Sequence, residues 1–524
     1  MAGHTAATHI AELGREAGNK TMKTIIDRAL KHLGLARRSL TVFSGAQGSR
    51  LTMDWIASIL SADQEVKSNL RLLRARAREF SRNNPVAKSY LTMCETNIVG
   101  KAGIRYESKV RDSDKTLSRG INRQIEDAFE DWGRRENCTI DGRHSFRALQ
   151  SLAVRTKEAD GEFFLRMVRG FDGNPYRFAL QLIDADQVDH LYNVESVERR
   201  GPRSPSQYEI RMGVEVDRWG RPIAYWITPR HPSDAGGSTL RERVPADQII
   251  HLYDSGRVNQ TRGITAFHAV MMHLRMLDGY VEAELVAART AAAKMGFLTY
   301  TDTSAFEAPN DNLRNIRIEA KPGVIETLPP GMDFKEWSPQ HPAVVFGHFT
   351  QGVLRLIASG LGVSYNALAN DLIGVTYSSM RSGLLVERDN WRCQQSALAE
   401  NFLDPIFREW LKMAILSGAL KLGSYDSSRY LAGRWKARGW QWVDPLKDAQ
   451  SAVLAVGAAL NSRDGIISET GGDFEDIAEQ LAEENDIARK HGLTLTTVLP
   501  PKPTGENNPA EATKVPRCKT LILN

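Results

Sequence analysis

Four carboxylates near the middle of the chain, Asp160 with Glu162 and Asp184 with Asp186, are the residues whose type and spacing could do chemistry. Clustered hard oxygens of this kind hold divalent cations, and a held cation can activate water against a phosphodiester. The spacing Asp184-Ala185-Asp186 equally suits a turn in which aspartate accepts from its own backbone. No companion His or Lys motif completes a catalytic set. Phosphate loops of the form GxxxxGK[ST], a GxGxxG after a strand and a GxSxG elbow are absent from the sequence, so nucleotide hydrolysis is not expected. The twelve histidines are scattered, and His341 and His348 stand too far apart for ligation, which favours i and i+4. Cys94, Cys138, Cys393 and Cys518 form no CxxC pair, against both a zinc site and a disulfide framework. We expect no metal, no cofactor and no enzymatic activity.

Arg71, Arg74, Arg76, Arg78 and Arg82 form the other chemically suggestive run. Such a run can pair phosphates, but on a helix it more commonly marks a solvated face or an ion-pair surface between subunits, and that reading is preferred. Lys and Arg number 68 against 63 Asp and Glu, a net charge of +5 that is too small to attract a polyanion to the whole surface. Nucleic-acid contact, where it occurs, must be local.

The elements that position these residues follow from periodicity. Apolar residues recur at helical spacing over 64–83, where Pro85 interrupts, and again over 89–98. Short β-type runs occupy 163–168, 177–183, 213–216, 223–228 and 248–253, with a hairpin turn at 217–222. The stretch 264–294 is rich in Ala, Leu, Met and Glu and free of Pro, which predicts a helix about 45 Å long. Strand and turn character returns over 297–337, including the apolar run 324–328. A helix opened by Pro342 carries Phe346, Phe349, Val353, Leu356 and Ile357 and stops near Gly360 and Gly362. After a loop at 370–379, helix resumes over 380–416 with a kink expected at Pro405. Trp435, Trp440 and Trp442 suggest one more extended segment. Helices are expected at 449–460 and 473–490, the latter capped by Asp473, with a Pro-rich disordered tail after them. An amphipathic basic helix is expected at 22–38. No apolar stretch of spanning length and no signal-type segment is seen, so neither a membrane-bound nor a secreted protein is expected. In the 370–379 loop only Asp371 is charged, so any contact with DNA there would be steric or through Asn, Tyr and Ser rather than a phosphate clamp.

Several wordings resemble the lambda-type portal family of tailed bacteriophages: Leu73-Arg74-Ala75-Arg76-Ala77-Arg78, Asn97-Ile98-Val99-Gly100, Gln181-Leu182-Ile183-Asp184-Ala185-Asp186, and Gly213-Val214-Glu215-Val216-Asp217 running through Tyr225-Trp226-Ile227. The most specific segment is 354–391, with Ala358-Ser359-Gly360-Leu361-Gly362-Val363-Ser364-Tyr365, Tyr377-Ser378-Ser379 and Arg381-Ser382-Gly383-Leu384-Leu385. The resemblance covers about 22–490.

It implies an α+β, portal-like fold. An N-terminal extension (1–62) would precede a mixed α/β wing (63–263), and stem helices at 264–295 and 339–362 would flank a small α/β clip (296–338). A tunnel-loop region (363–379), a kinked helix with a returning wing segment (380–447), a helical crown (448–492) and a disordered tail (493–524) would follow. The tunnel loop itself would be Asn370, Asp371, Leu372, Ile373, Gly374, Val375, Thr376, Tyr377, Ser378 and Ser379. Channel or subunit-contact charges would come from Glu282, Glu284, Arg289, Lys294, Arg314 and Arg317. The resemblance further implies a ring of about twelve copies at one vertex of the virion head, assembled in the bacterial host cytoplasm. Its partners would be the terminase large subunit, major capsid and scaffold proteins, a head-completion connector and double-stranded DNA passing without sequence specificity.

Overall fold

The computed structural model describes residues 59–112, 116–194, 209–234, 240–292, 296–300, 332–336, 343–440, 444–469, 472 and 474–493. The amphipathic helix expected at 22–38, the apolar run 324–328, the Asp473 cap and the tail lie outside the described residues.

Helix α1 (Ala62–Asn83) buries one stripe, Val66, Leu70, Arg74, Ala77 and Phe80, at spacings of three and four. Asn84 ends it and caps α2 (Pro85–Cys94) by accepting from the Ala87 amide at 2.8 Å, so Pro85 opens a helix rather than merely breaking one. A π-type turn, Glu95–Val99, leads through Gly100 into β1 (Arg105–Ser108). Two helices that the sequence reading passed over follow, α3 (Arg119–Trp132) and α4 (Phe146–Asp160).

Strand β2 (Glu162–Arg169) is the middle of a three-stranded antiparallel sheet, between β3 (Phe178–Ile183) and a later strand. Strands β4 (Glu209–Arg211), β5 (Val214–Val216), β6 (Pro222–Ile227) and β7 (Glu242–Pro245) form a four-stranded meander, and β8 (Ile249–Tyr253) returns to β2. The hairpin read at 217–222 joins β5 and β6.

Alternation along β2 serves two cores. Phe163, Leu165 and Met167 face the helical core, whereas Phe164 packs with Val214, Tyr225 and Ile249 between the sheets. The helical core is centred on Phe129, whose ring lies 4.8 Å from Trp410 and 5.4 Å from Trp132.

Helix α5 (Met271–Ala292) is shorter than expected, because Thr265 caps a separate 3₁₀ turn, Ala266–Ala269, before it. Strands β9 (Gly296–Tyr300) and β10 (Met332–Glu336) pair antiparallel. Then come α6 (Ala343–Leu361), the short α7 (Tyr365–Ala369) and α8 (Tyr377–Leu398). The break foreseen at Pro405 takes the form of a π-type turn, Ala399–Leu403, followed by α9 (Asp404–Leu416) with the proline in its first turn. Strand β11 (Gly433–Lys436) pairs with β1, and α10 (Pro445–Gly457), α11 (Arg463–Glu469) and α12 (Phe474–Lys490) close the described chain.

What locks α1 onto the sheets is charge. Glu162 shares the inter-sheet face of β2 with Phe164 and is fully buried. Arg262, also fully buried, grips it with two donors, Nη2 at 2.6 Å and Nε at 2.8 Å, while its Nη1 reaches the Met212 carbonyl at 2.6 Å. Arg74 pairs the same carboxylate from α1, and His251 Nε2 lies 3.1 Å from it. The approach requires Gly161 and Gly263, since a Cβ on Gly161 would overlap the backbone of Ile264 and Thr265 and one on Gly263 the backbone of Gly161, and Gly161 has a φ of +92°. Burial opposes the charge on Glu162, but Arg262 and Arg74 override it and hold its carboxyl well below the usual range.

Removing one member strands the others. Glu162→Gln is expected to destabilise the fold by about 3–5 kcal/mol, because Arg74 and Arg262 would remain buried without a counter-charge; a urea midpoint unchanged from the parent chain would refute this account. Burial also lowers the pKa of His251 and His190 from the ordinary 6.5. The unfolded chain therefore takes up protons there that the folded chain refuses, and stability should fall by up to about 1.4 kcal/mol per pH unit per imidazole as pH drops below 6.5. Glu162 adds to the loss at lower pH, whereas Asp160, whose pKa burial raises, opposes it. Urea midpoints at pH 7.5, 6.5 and 5.5, with and without His251→Gln, measure this limb, and a flat profile would contradict it.

Candidate functional site

The four carboxylates singled out by sequence do converge, but around guanidinium groups. Arg78 donates to Asp160 through Nε at 2.9 Å, to Asp186 through Nη1 at 2.7 Å and to Asp184 through Nη2 at 3.0 Å. Arg74 Nη1 donates to the other Asp186 oxygen at 2.6 Å. Asp184 accepts from the Asp186 amide at 2.8 Å and caps a 3₁₀ turn, Ala185–Gln187, so the turn reading of Asp-Ala-Asp is the structural fact. Asp184, Asp186 and His231 have ligand atoms within 4.8 Å of one another, which is a cation-holding geometry. However, Arg74 and Arg78 already bring positive charge to both oxygens of Asp186. The metal-hydrolase reading loses its support on that ground.

The preferred reading of the arginine run needs the matching correction. Arg71, Arg76 and Arg82 are exposed, but Arg74 is buried and Arg78 half-buried in pairs within the chain. The signal was available: Arg74 sits on the inward stripe with Leu70 and Ala77, where a solvated arginine does not belong.

The loop between α7 and α8 is the second candidate. Asn370, at φ 52° and ψ 40°, ends α7 in the left-handed region. Asp371 then organises the turn, accepting from the Tyr365 hydroxyl at 2.6 Å and the Ile373 amide at 3.0 Å, and these bonds hold its carboxyl below the usual range. Its only charge is thus spent internally, and Leu372 and Ile373 are presented at 61% and 89% exposure. Gly374 takes a φ of +74°, and Thr376 caps α8 by accepting from the Ser379 amide at 3.3 Å. The loop is consequently shorter than 370–379: Asn370, Asp371, Leu372, Ile373, Gly374, Val375 and Thr376 lie outside the helix, while Tyr377, Ser378 and Ser379 form the first turn of α8.

Helices α5 and α6 pack side by side, with Tyr280 stacked on Phe346 at 5.6 Å between ring centres and edge-on to Phe349 at 5.0 Å. A groove of about 750 Å³ runs along them, lined by Leu277, Val281, Leu285, Phe346 and Leu354. Of the candidate charges, Glu282 and Arg289 are exposed on α5 and Glu284 is half-buried, whereas Lys294, Arg314 and Arg317 lie outside the described residues. His348 is exposed and His341 is outside the described residues. Among the described residues no helix is long and apolar enough to cross a membrane.

Comparison with known proteins meets this architecture at the level of family. Residues 48–395 match the model of the phage portal protein, lambda family. A probable portal protein of Halomonas phage phiHAP-1 is 34% identical over 86% of this chain and 87% of its own length. Portal protein B of Escherichia phage lambda is 22% identical over 84% of this chain and 88% of its own. A solved chain in the virion of a native gene transfer agent particle is 14% identical, with a TM-score of 0.42, over 82% of this chain and 94% of that one. With two thirds of its length inside the family model and a 34% identical relative along most of it, the chain belongs to the lambda family of phage portal proteins.

Proposed function

We propose that copies of this chain close into a ring of about twelve subunits that forms the portal vertex of a virion head and conducts double-stranded DNA in and out. The observation that carries the reading is the state of α5 and α6 in a single copy. Each already uses one face against its partner helix and the core, yet Met272, Met276, Leu285, Val286, Phe349 and Leu356 remain between 50% and 68% exposed along the pair. Exposed apolar residues recurring along two packed helices of an isolated chain mark a contact surface. Because every copy carries it, a head-to-tail repeat that closes on itself is the economical way to cover it.

In this reading α5 and α6 are the stem, the β9–β10 hairpin and the residues between its strands are the clip that docks the terminase large subunit, and the loop at 370–376 with the first turn of α8 edges the tunnel. The sheets and α1 to α4, with the returning β11, form the wing, and α10 to α12 the crown. Major capsid and scaffold proteins would meet the ring during head assembly in the host cytoplasm, and a head-completion connector would join it afterwards. Glu282, Glu284, Arg289, Lys294, Arg314 and Arg317 would repeat around the ring as channel or subunit contacts. The exposed, uncharged tip at Leu372 and Ile373 suits a sliding duplex, which a phosphate clamp would hold back.

Mass measurement and negative-stain imaging of the full-length chain test the ring: a closed particle of about twelve copies with a central hole is expected, and a monomer or dimer at every concentration and salt would sink it. Val286→Glu should leave secondary structure and urea midpoint within about 0.5 kcal/mol of the parent, since the position is exposed, while shifting the particle from ring to monomer. Undisturbed rings in that variant would remove α5 from the interface.

A further inference from the structure

Helices α10, α11 and α12 differ from the body of the chain in charge and in how they are held. Residues 444–493 carry eleven Asp and Glu against four Lys and Arg, a net charge of −7 in a chain whose total is +5, so the remainder is basic. Among the described residues of the three helices only Ala488 is buried, and none of them joins a hydrophobic core. Leu446, Val453 and Leu454 along α10 are 70%, 52% and 72% exposed. An open cavity of about 300 Å³ lies where α10 meets α8, with Leu385 and Ile466 in its lining. A segment with so little apolar burial belongs to the low-stability end of a fold, the part that opens first.

Ion pairs bridge the gap, with the cation on the body and the carboxylate on the helices. Arg381 on α8 donates to Asp448 on α10 at 2.8 Å. Arg434 on β11 donates to both oxygens of Asp464 on α11, at 2.8 and 3.2 Å, while also holding Glu107 of β1. Arg123 on α3 lies 3.9 Å from Glu479 on α12. The six partners are between 21% and 75% exposed, so each pair is weak alone and screened by salt. One of them reaches the loop between α7 and α8. Arg381 stands in the second turn of α8, just past the Thr376 cap, and from Tyr377 to Asn390 that helix buries no side chain, Trp391 being the first. Asp448 therefore fixes the half of α8 that carries the loop, a half with no buried side chain of its own.

We propose that α10, α11 and α12 form an ion-latched cap that undocks from the body when its ion pairs are screened, and that docking through Arg381 and Asp448 restrains the loop-bearing half of α8. Two states follow, one with the cap docked and the loop held, the other with both released. Several weak pairs acting together favour the first, so a change in ionic surroundings shifts the balance without any new contact. A polyanion competing for the arginines, or a polycation competing for the carboxylates, acts in the same direction as salt. The inference rests on the ion pairs and the missing apolar core, and it stands whether or not copies close into a ring.

Pulsed electron paramagnetic resonance on the full-length chain tests the latch. Spin labels go on Leu454→Cys in α10 and Leu416→Cys in α9, 72% and 59% exposed, with Cys393→Ser and Cys518→Ser removing competing thiols and labelled copies diluted by unlabelled ones. A narrow distance distribution is expected at about 0.1 M salt, and a broad one at about 1 M, where the screening length falls from about 10 Å to about 3 Å. Asp448→Asn with Asp464→Asn keeps shape and acceptor oxygens but removes charge, and should broaden the distribution already at the lower salt. Asp486→Asn, whose carboxylate pairs within α12, should leave it narrow, as should Arg381→Lys, which keeps the cation. Amide exchange over 370–383, read by mass spectrometry, should quicken several-fold in the double variant at the lower salt, with far-UV circular dichroism unchanged. A distribution that stays narrow at high salt and in the double variant overturns the latch, and so does equal broadening in Asp486→Asn. A cap that undocks while exchange over 370–383 stays at the parent's rate overturns the restraint on α8. If the double variant loses helix, the parent's own salt series decides both points by the same two readouts.

Discussion

A carboxylate sealed from water keeps its charge only when cations are brought to it, and Glu162 obtains them from opposite directions of the chain. Arg74 arrives from α1, far upstream, and Arg262 from the segment after β8, far downstream. Neither arginine can reach it unless β2 lies between β3 and β8 and α1 crosses their face, so one ion cluster tests most of the mixed domain at once. Buried ion groups of this kind seldom add net stability over an apolar core of similar volume. Their effect is discrimination, since an alternative packing that separated Glu162 from either arginine would leave a naked charge in a dry interior. Gly161 and Gly263 belong to the same device, as their lack of side chains lets the two backbone segments touch where the carboxylate and Arg262 meet.

That dependence explains which parts of the architecture were legible in sequence. The strands β2, β3, β5, β6 and β8 were readable because their apolar residues and turn residues carry local signals, and the hairpin between β5 and β6 followed from Asp217 through Pro222. Helices α3 and α4 were missed although α3 buries Ile125, Phe129 and Trp132 at helical spacing, because the positions between them are acidic except for Ala128. The α5 start was placed too early, since composition alone does not reveal that Thr265 caps a separate turn. Polar pairing was the least legible layer. Arg74 and Arg78 look like members of a solvated run until the partners, more than eighty residues away, are placed beside them.

The candidate loop shows the same division. Its position between two helices was visible from the glycines and the polar run, but its end was not. Thr376 and Ser379 stand three apart and exchange hydrogen bonds as a helix cap, which moves Tyr377, Ser378 and Ser379 into α8. The consequence is chemical. The non-helical loop is left with an Asp371 carboxylate held in internal hydrogen bonds and two exposed aliphatic residues, Leu372 and Ile373.

A net charge of +5 over 524 residues is too small to draw DNA to the whole surface. Most arginines of the mixed domain are consumed internally: Arg74, Arg78 and Arg262 by carboxylates, Arg169 by Asp247 and Glu409, Arg434 by Glu107 and Asp464. A conduit needs the duplex to be attracted and yet to move, and attraction through a few phosphate contacts falls steeply with salt and carries no sequence register to hold the DNA in place.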